Sequence, residues 1–517
     1  MDTEAEDIGE PPPPHHSAFI DGYPIDAMDS IVADVKPTAV SAAVREIYRR
    51  SAGGYIWNDG RRLTTAARRL VWLLETVREH GLEPRLLDAR GTLTLIDSLV
   101  WVRSLIEASD ATASDYTSLV ELRGLLLSRL DVRLTGCALM LARLFGHTEA
   151  GGIELASVLP GPDALDDWVY GLLPWFPQYH RLSDALDRYR RMARWTPVKA
   201  PGRRRIQEGS RVRFVDVSWK LGDEHDDVIL VRERLAQEEF LLTGNLYNPI
   251  FDAELEAAVS AFQYSRGLGV NGVVDNATAN ALNVPRSQLI SDIRDAMTYW
   301  RSAKIRSERT FLVVNIPEFT VELYADRRRL RRSKAVVGYA YGSGGGRTKL
   351  FHSSIRRVVI NPGWTPSNRL IENELKPKEQ SNPGWLKRRG FQWFKRKDGR
   401  IGLFQQPGEK NALGRVKLSF PNDYNIYLHG SPNEEQFDLA NRAQSNGCVR
   451  VEQAEAIAHD ILLISGTLRR GEFEAAMKDG RTKALRLQNA IPVHFEYVRV
   501  VVDDDETVRF LPNVYQL

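Results

Sequence analysis

Two hydrophobic rhythms divide this chain. In the first half, apolar residues recur every three or four positions, the spacing of one helix face. Ala42, Val44, Ile47 and Tyr48 open such a segment. Ala67, Leu70, Val71 and Leu74 form another face after Thr64 and Thr65, which supply a cap, and Gly81 with Pro84 ends that region. Further helices are expected over 95–108, 115–145 and 164–195. Leu255, Ala258, Val259 and Phe262 mark a later helix face, and 293–301 reads as a helix leading onward. From Thr310 the rhythm changes to that of strands. Residues 311–316 are continuously apolar, 320–324 alternate, and 333–338 and 356–360 follow. Residues 491–510 alternate as a hairpin around Asp503, Asp504 and Asp505, expected as an acidic turn. The pattern predicts a multidomain α+β protein, helical first and mainly β later.

A chain of 517 residues is too long for one core, so two to four domains are expected. The net charge of +3 gives no argument for nucleic acid. No run of 18 apolar residues occurs. The acidic, proline-rich N-terminus has neither the basic nor the apolar stretch of a signal peptide. Residues 1–36 are expected to be a disordered leader, and the pair His15–His16 to be solvated tail. Only Cys137 and Cys448 could form a disulfide, and their contexts differ. Cys137 lies in an apolar helical run and is expected to be a buried small hydrophobe. Gly344, Gly345 and Gly346 lack the Gly-Lys-Ser/Thr ending of a phosphate loop and read as a surface turn.

Candidate chemistry concentrates between Tyr424 and Glu452. His429 closes a short β-prone run, Ile426-Tyr427-Leu428, that Gly430 and Pro432 stop. Cys448 follows Ser445-Asn446-Gly447, and Ala454, Ile457, Ala458 and Ile461 then recur at helical spacing. The sequence therefore predicts a thiol at a helix start, where dipole and amides favour thiolate. A histidine beside it would hold the thiolate as an ion pair and later donate a proton.

This stretch resembles the signature of the L,D-transpeptidases, which cross-link bacterial peptidoglycan with a cysteine nucleophile. The match is His429-Gly430, a spacer, then Ser445-Asn446-Gly447-Cys448-Val449-Arg450. Many members have His at the place of Asn446. The resemblance implies Cys448 as nucleophile, His429 as its acid–base partner and the Gly430 carbonyl as the acceptor that fixes the imidazole. The Gly447 and Cys448 amides are implied as oxyanion donors. Tyr427, Ser445, Asn446 and Arg450 are expected at the substrate. Arg450 is either a substrate-carboxylate partner or a salt bridge fixing the loop, with the latter favoured slightly. Asn361 and Trp364, in Asn361-Pro362-Gly363-Trp364-Thr365-Pro366, match a family groove element; Trp364 either contacts substrate or packs under the loop. Residues 367–410 resemble the capping subdomain that large members insert over the groove.

Two upstream segments extend the resemblance. Tyr55-Ile56-Trp57-Asn58-Asp59-Gly60 through His80-Gly81-Leu82 resembles the helical scaffold domain of large periplasmic L,D-transpeptidases. Phe262-Gln263, Gly267-Leu268-Gly269-Val270-Asn271-Gly272 and the helix from Thr278 to Leu282 resemble the small three-helix peptidoglycan-binding domain. Asn271 replaces the usual Asp of an Asp-Gly turn, and Asn-Gly turns as well. That module either contacts glycan or acts as a spacer.

The implied organisation is a leader (1–36), a helical scaffold domain (37–205), a small three-helix peptidoglycan-binding-like domain (206–290), a linker helix (291–306), and a mainly-β catalytic domain (307–470). That last domain carries the capping insertion, and a C-terminal helix and hairpin (471–517) pack back on the scaffold or catalytic domain. The implied activity is transfer of a stem peptide from its diaminopimelate–D-alanine bond to an amine of a neighbouring stem. Hydrolysis on the same fold and non-catalytic wall anchoring are the other readings. No cofactor and no metal are expected. The expected partners are donor and acceptor stem peptides, with carbapenems as covalent inhibitors, and the expected state is a periplasmic monomer whose leader is removed or whose export route the sequence does not reveal.

Overall fold

The computed structural model describes residues 40–517 apart from 52–53, 109–112, 149, 151, 194, 209–210, 243–244, 303–304, 306–307, 341–345, 397–398 and 470. The leader with His15 and His16, and Gly344 and Gly345, lie outside the described residues. The chain forms two compact units, one from residues 1–187 and 297–303, the other from 188–296 and 304–517. Among the described residues no helix is long and apolar enough to cross a membrane.

The first unit is helical. Helices Ser41–Arg50, Thr65–Glu75, Ala89–Ala108 and Ala113–Leu144 carry most of it, and Thr64 caps the second by accepting from the Ala67 amide. The helix expected over 164–195 is two, Leu165–Tyr170 and Pro177–Arg191. Gly171, Pro174 and Pro177 fall between or at their ends, and proline cannot supply the amide that a continuous helix needs. The 55–60 segment is held by one buried carboxylate. Asp131 Oδ1 accepts from the Trp57 amide at 2.7 Å and from Asn58 Nδ2 at 2.8 Å, while its other oxygen takes the Tyr48 hydroxyl. Cys137, 3% exposed, lies in the same long helix.

The second unit begins with a ribbon, Arg203–Glu208 against Arg211–Asp216, where a small three-helix module was expected. The β-prone Ile206, Val212, Phe214 and Val215 favour strands there. Three helices follow, Asp226–Gln237, Ala253–Ser265 and Asn276–Leu282, around a core containing Trp219, Val231, Phe251, Leu255, Val259 and Phe262. The Gln263 side chain organises the Asn271-Gly272 turn: Nε2 donates to Asn271 Oδ1 and the Val273 carbonyl, and Oε1 accepts both turn amides. The linker helix is Arg286–Ser302, starting before 291 because Pro285 sits at its entry and its carbonyl accepts the Gln288 amide.

The rest of this unit is built on nine strands: β1 (Phe311–Asn315), β2 (Thr320–Ala325), β3 (Arg328–Gly338), β4 (Phe351–Ile360), β5 (Val416–Ser419), β6 (Leu428–His429), β7 (Ala443–Ser445), β8 (Val449–Val451) and β9 (Lys483–Glu496). Their order is β7-β3-β8-β6-β5-β4-β9-β1-β2, and β2 pairs back onto β3, so the sheet closes on itself. The long β3 makes closure possible: its first half pairs with β2 and its second with β8. Leu312, Val314, Val337, Val358, Leu418, Leu428, Val449 and Phe495 fill the interior with Ile457, Ala458 and Ile461 of helix Ala454–Ile464.

Residues 471–517 are not an appendage. After helix Glu472–Asp479, β9 is a central strand between β4 and β1. Its polar first half, Lys483 to Asn489, hides this in the sequence. The expected hairpin is shorter, Val500–Val502 with Val508–Phe510. Its acidic turn is paired with arginine, Asp503 with Arg332 and Arg509, and Asp503 Oδ2 accepts the Tyr264 hydroxyl at 2.9 Å, joining the three-helix module. The inserted segment folds as short helices and a hairpin, Phe391–Lys395 with Ile401–Gln405, around its own core of Ile371, Leu375, Leu386, Phe391 and Leu403.

Candidate active site

Strand register brings the predicted residues together. β6 and β8 run parallel, with Leu428 beside Val449 and His429 beside Arg450. Side chains alternate faces along a strand. Leu428 and Val449 therefore enter the core, while Tyr427 and His429 on one strand and Cys448 and Arg450 by the other line a common cavity. The cavity is about 950 Å³. Its rim comes from the capping insertion, and its charged lining is Arg369, Lys378, Arg389, Lys410 and Arg450 against one carboxylate, Glu374.

The nucleophile stands differently from expectation. Cys448 lies in the tight connection between β7 and β8, and the helix starts only at Ala454. The β-branched pair Val449 and Val451 forms a strand first, so no helix dipole acts on the thiol. Burial is the largest influence and pushes the Cys448 thiol up. Burial, then Arg450, lowers His429 to about 3 despite the opposing pull of the Gly430 and Leu413 carbonyls. Both groups are thus neutral near pH 7, and the resting ion pair expected from sequence is absent. His429 Nδ1 lies 2.6 Å from the Gly430 carbonyl oxygen. An acceptor there fixes the proton on Nδ1 and leaves Nε2 as the basic nitrogen. Tyr427 stands 5.5 Å from the imidazole, ring centre to ring centre, and Lys417 Nζ lies 3.8 Å over the Tyr427 ring.

The loop around Cys448 is braced from both sides. Ser445 Oγ donates to the Cys448 carbonyl and accepts the Gly447 amide at 3.2 Å. The Gly447 amide is therefore engaged and not a free oxyanion donor. Gly447's carbonyl accepts from Thr348 Oγ1 at 2.9 Å, and that hydroxyl accepts the Gly338 amide, also at 2.9 Å. Tyr515 closes the brace, receiving the Thr348 amide at 3.1 Å and donating to the Gly338 carbonyl at 2.8 Å. Asn446 faces the insertion, accepting from Arg369 and donating to Glu374, each at 3.3 Å.

Two expectations change. Asn361 does not reach the cavity: it is 4% exposed, and its amide faces the Ala476, Met477 and Arg481 carbonyls at 3.4–3.5 Å. Its φ of +46° fits an asparagine at a turn, which explains the residue type without substrate. Arg450 makes no ion pair among the described residues; it donates to Gln436 and faces the cavity. Trp364 packs on Phe391, as one of its two expected roles requires, and also lines the cavity. Sequence reasoning passed over Gln405, 1% exposed, which ties the insertion to the turn near His429: it donates to the Arg389 and Lys410 carbonyls and accepts the Ala412 amide. It also passed over Thr348, Lys417 and Tyr515. Their only signal was a polar residue beside an apolar strand, which many surface positions share.

Comparison with known proteins shows what the segments of this chain resemble. Residues 309–471 match the L,D-transpeptidase catalytic domain, 224–282 a putative peptidoglycan binding domain, and 42–158 a scaffold domain. A putative L,D-transpeptidase of Haemophilus influenzae is 29% identical over 236 residues, covering 43% of this chain and 47% of that relative. The chain thus spans about half the length of the curated relative it matches. Among solved structures, an L,D-transpeptidase from Xylanimonas cellulosilytica is 16% identical over 54% of this chain and 96% of its own, at a TM-score of 0.19. One from Stackebrandtia nassauensis is 13% identical over 54% of this chain and 94% of its own, at 0.20. One chain thus carries a segment similar to the L,D-transpeptidase catalytic domain together with segments similar to a putative peptidoglycan binding domain and a scaffold domain.

Proposed function

We propose that this chain is a peptidoglycan L,D-transpeptidase acting on tetrapeptide stems in the periplasm. The reading rests on one observation above the others. His429, held through Nδ1 by the Gly430 carbonyl, shares a cavity and a strand face with Cys448. With both groups neutral, the thiol proton passes to Nε2 as sulfur attacks, so charge forms only as the reaction needs it. The substrate is a stem whose third residue, diaminopimelate, is joined through its L-centre to D-alanine. Sulfur bonds to that carbonyl carbon, and its oxygen becomes an oxyanion. The Cys448 amide, which makes no hydrogen bond among the described residues, is available as a donor to it. The imidazolium then protonates the leaving amine, the C–N bond breaks, and D-alanine departs. An amine of a neighbouring stem attacks the thioester, gives its proton to His429 and forms the cross-link between third residues, releasing the thiol. The cationic lining suits a peptide ending in carboxylates. Residues 206–290 are proposed to contact glycan, and carbapenems to acylate Cys448.

Intact mass after incubation with a carbapenem, then with a diaminopimelate tetrapeptide, tests this. A whole-drug adduct lost in Cys448→Ala, with stem dimers from the peptide, is the expected result. Adducts with only tripeptide released would replace transfer by hydrolysis. No adduct on folded protein would overturn the enzyme reading in favour of a wall-anchoring one.

A further inference from the structure

Three side chains outside the cavity form a second constellation. β9 pairs antiparallel with β4, and the register sets His494 opposite His352. Glu496, two residues on, shares the face of His494, while Val493 and Phe495 between and beside them enter the core. His494 and Glu496 are 2% and 4% exposed; His352 is exposed and opens the cluster to solvent. His352 Nδ1 lies 2.8 Å from His494 Nδ1 and 3.6 Å from Glu496 Oε1. One donor atom from each residue lies within 4.8 Å of the other two.

Two observations separate this cluster from ordinary buried polar groups. Glu496 Oε1 is buried and makes no hydrogen bond, although unsatisfied buried carboxyl oxygens are costly. Independently, His494 Nε2 lies 2.6 Å from Glu308 Oε2. A carboxylate there fixes the proton on Nε2 and turns the Nδ1 lone pair toward His352 and Glu496. Metal-bound histidines are held in this way by an outer carboxylate.

We propose that His352, His494 and Glu496 bind one divalent transition-metal ion, zinc being the best match, with Glu308 orienting His494. Two imidazole nitrogens and a carboxylate oxygen are borderline ligands, and three protein ligands leave one position open toward solvent. In a tetrahedral zinc site the bonds are about 2.0–2.1 Å, which spaces ligand atoms roughly 3.3 Å apart. The histidine pair therefore opens by about 0.5 Å, while the Glu496 carboxylate closes by about 0.3 Å on His352 and by up to about 1.5 Å on His494. The proton between the two Nδ1 atoms moves to His352 Nε2, Glu496 binds as its carboxylate, and nothing is oxidised or reduced. The ion would join β4, β9 and the segment bearing Glu308. None of these residues lines the catalytic cavity, so this proposal stands apart from the transpeptidase reading.

The test uses the full chain with Cys448→Ser and with His15 and His16 replaced by alanine, which removes competing ligands. Zinc content after dialysis, the visible spectrum with cobalt, and thermal unfolding with zinc alone are measured. The expected result is one zinc per chain, a tetrahedral cobalt spectrum and a raised melting temperature. His352→Ala and Glu496→Gln should each weaken binding by at least about 10–100-fold. His352→Ala, altering an exposed side chain, decides the matter if Glu496→Gln does not fold. Stoichiometric zinc retained in His352→Ala, or no binding by the folded parent at micromolar zinc, would overturn the proposal.

Discussion

Acidification should weaken the barrel through His429 alone by an amount that can be calculated. The imidazole is buried and its pKa is lowered to about 3, first by desolvation and then by Arg450. In the unfolded chain it returns to about 6.5. The folded pKa lies below the unfolded one, so the unfolded state binds the proton more readily. The contribution of the neutral ring is therefore complete above pH 6.5 and is lost as pH falls toward 3. Each pH unit in that window costs about 1.4 kcal/mol, so moving from pH 7 to pH 5 costs about 2 kcal/mol from this one group. His429→Gln keeps a donor for the Gly430 carbonyl and cannot titrate. Urea unfolding should be followed at both pH values by hydrogen exchange of peptides from β8 and β9, which isolates the barrel from the helical unit. The wild type should lose about 2 kcal/mol more than His429→Gln between pH 7 and pH 5. Equal losses would refute the buried neutral imidazole and return the mechanism to a resting ion pair. Activity provides the companion measurement: with the base neutral above about 3, carbapenem acylation should show no loss near pH 6 from histidine protonation.

Gly414 has φ +61°, and a Cβ there would lie 2.7 Å from the Gly430 carbonyl carbon, the group that holds His429. Gly414→Ala should lower stability by about 1–3 kcal/mol and slow acylation at least about tenfold by displacing the imidazole, read by urea titration and adduct formation. Thr348→Val removes the hydroxyl between the Gly338 amide and the Gly447 carbonyl. It should cost about 1–3 kcal/mol and lower kcat with little change in KM, whereas Thr348→Ser should restore both. Arg450→Gln should raise KM for the tetrapeptide by about tenfold or more and leave carbapenem acylation less affected; an unchanged KM would remove Arg450 from substrate binding.

What the sequence revealed and what it concealed follow the range of the forces involved. The Ser-Asn-Gly-Cys run and the His-Gly pair were legible because short local strings carry them. Their convergence needed only one parallel pairing, β6 with β8. The thiol's surroundings were not legible. Helical spacing after Cys448 is real, but the valines before Ala454 form a strand, and that short strand removes the expected dipole. The protonation states were hidden for a related reason. Burial, which acts on both His429 and Cys448, is a property of the closed sheet and not of any string of residues. Arg450 shows the same limit, since its charge faces the cavity, with no ion pair among the described residues, only because β8 turns it there.

β9 is the clearest failure of pattern reading. Its first half, Lys483 to Asn489, is mostly exposed and polar, and the expected strand pattern begins only at residue 491. Yet its second half lies between β4 and β1 and completes the core through Val493 and Phe495. Nothing local marks a strand whose partners lie about 140 and 180 residues away. The same long-range pairing sets His494 against His352. Those two residues stand 142 positions apart in the sequence, and register alone makes them a pair with a buried, unsatisfied carboxylate beside it. The catalytic pair and the proposed metal ligands thus share one physical origin. In both, alternation along adjacent strands sends apolar side chains inward and gathers the polar ones on the other face. The first set was readable because a short string announces it; the second became visible only when the barrel closed.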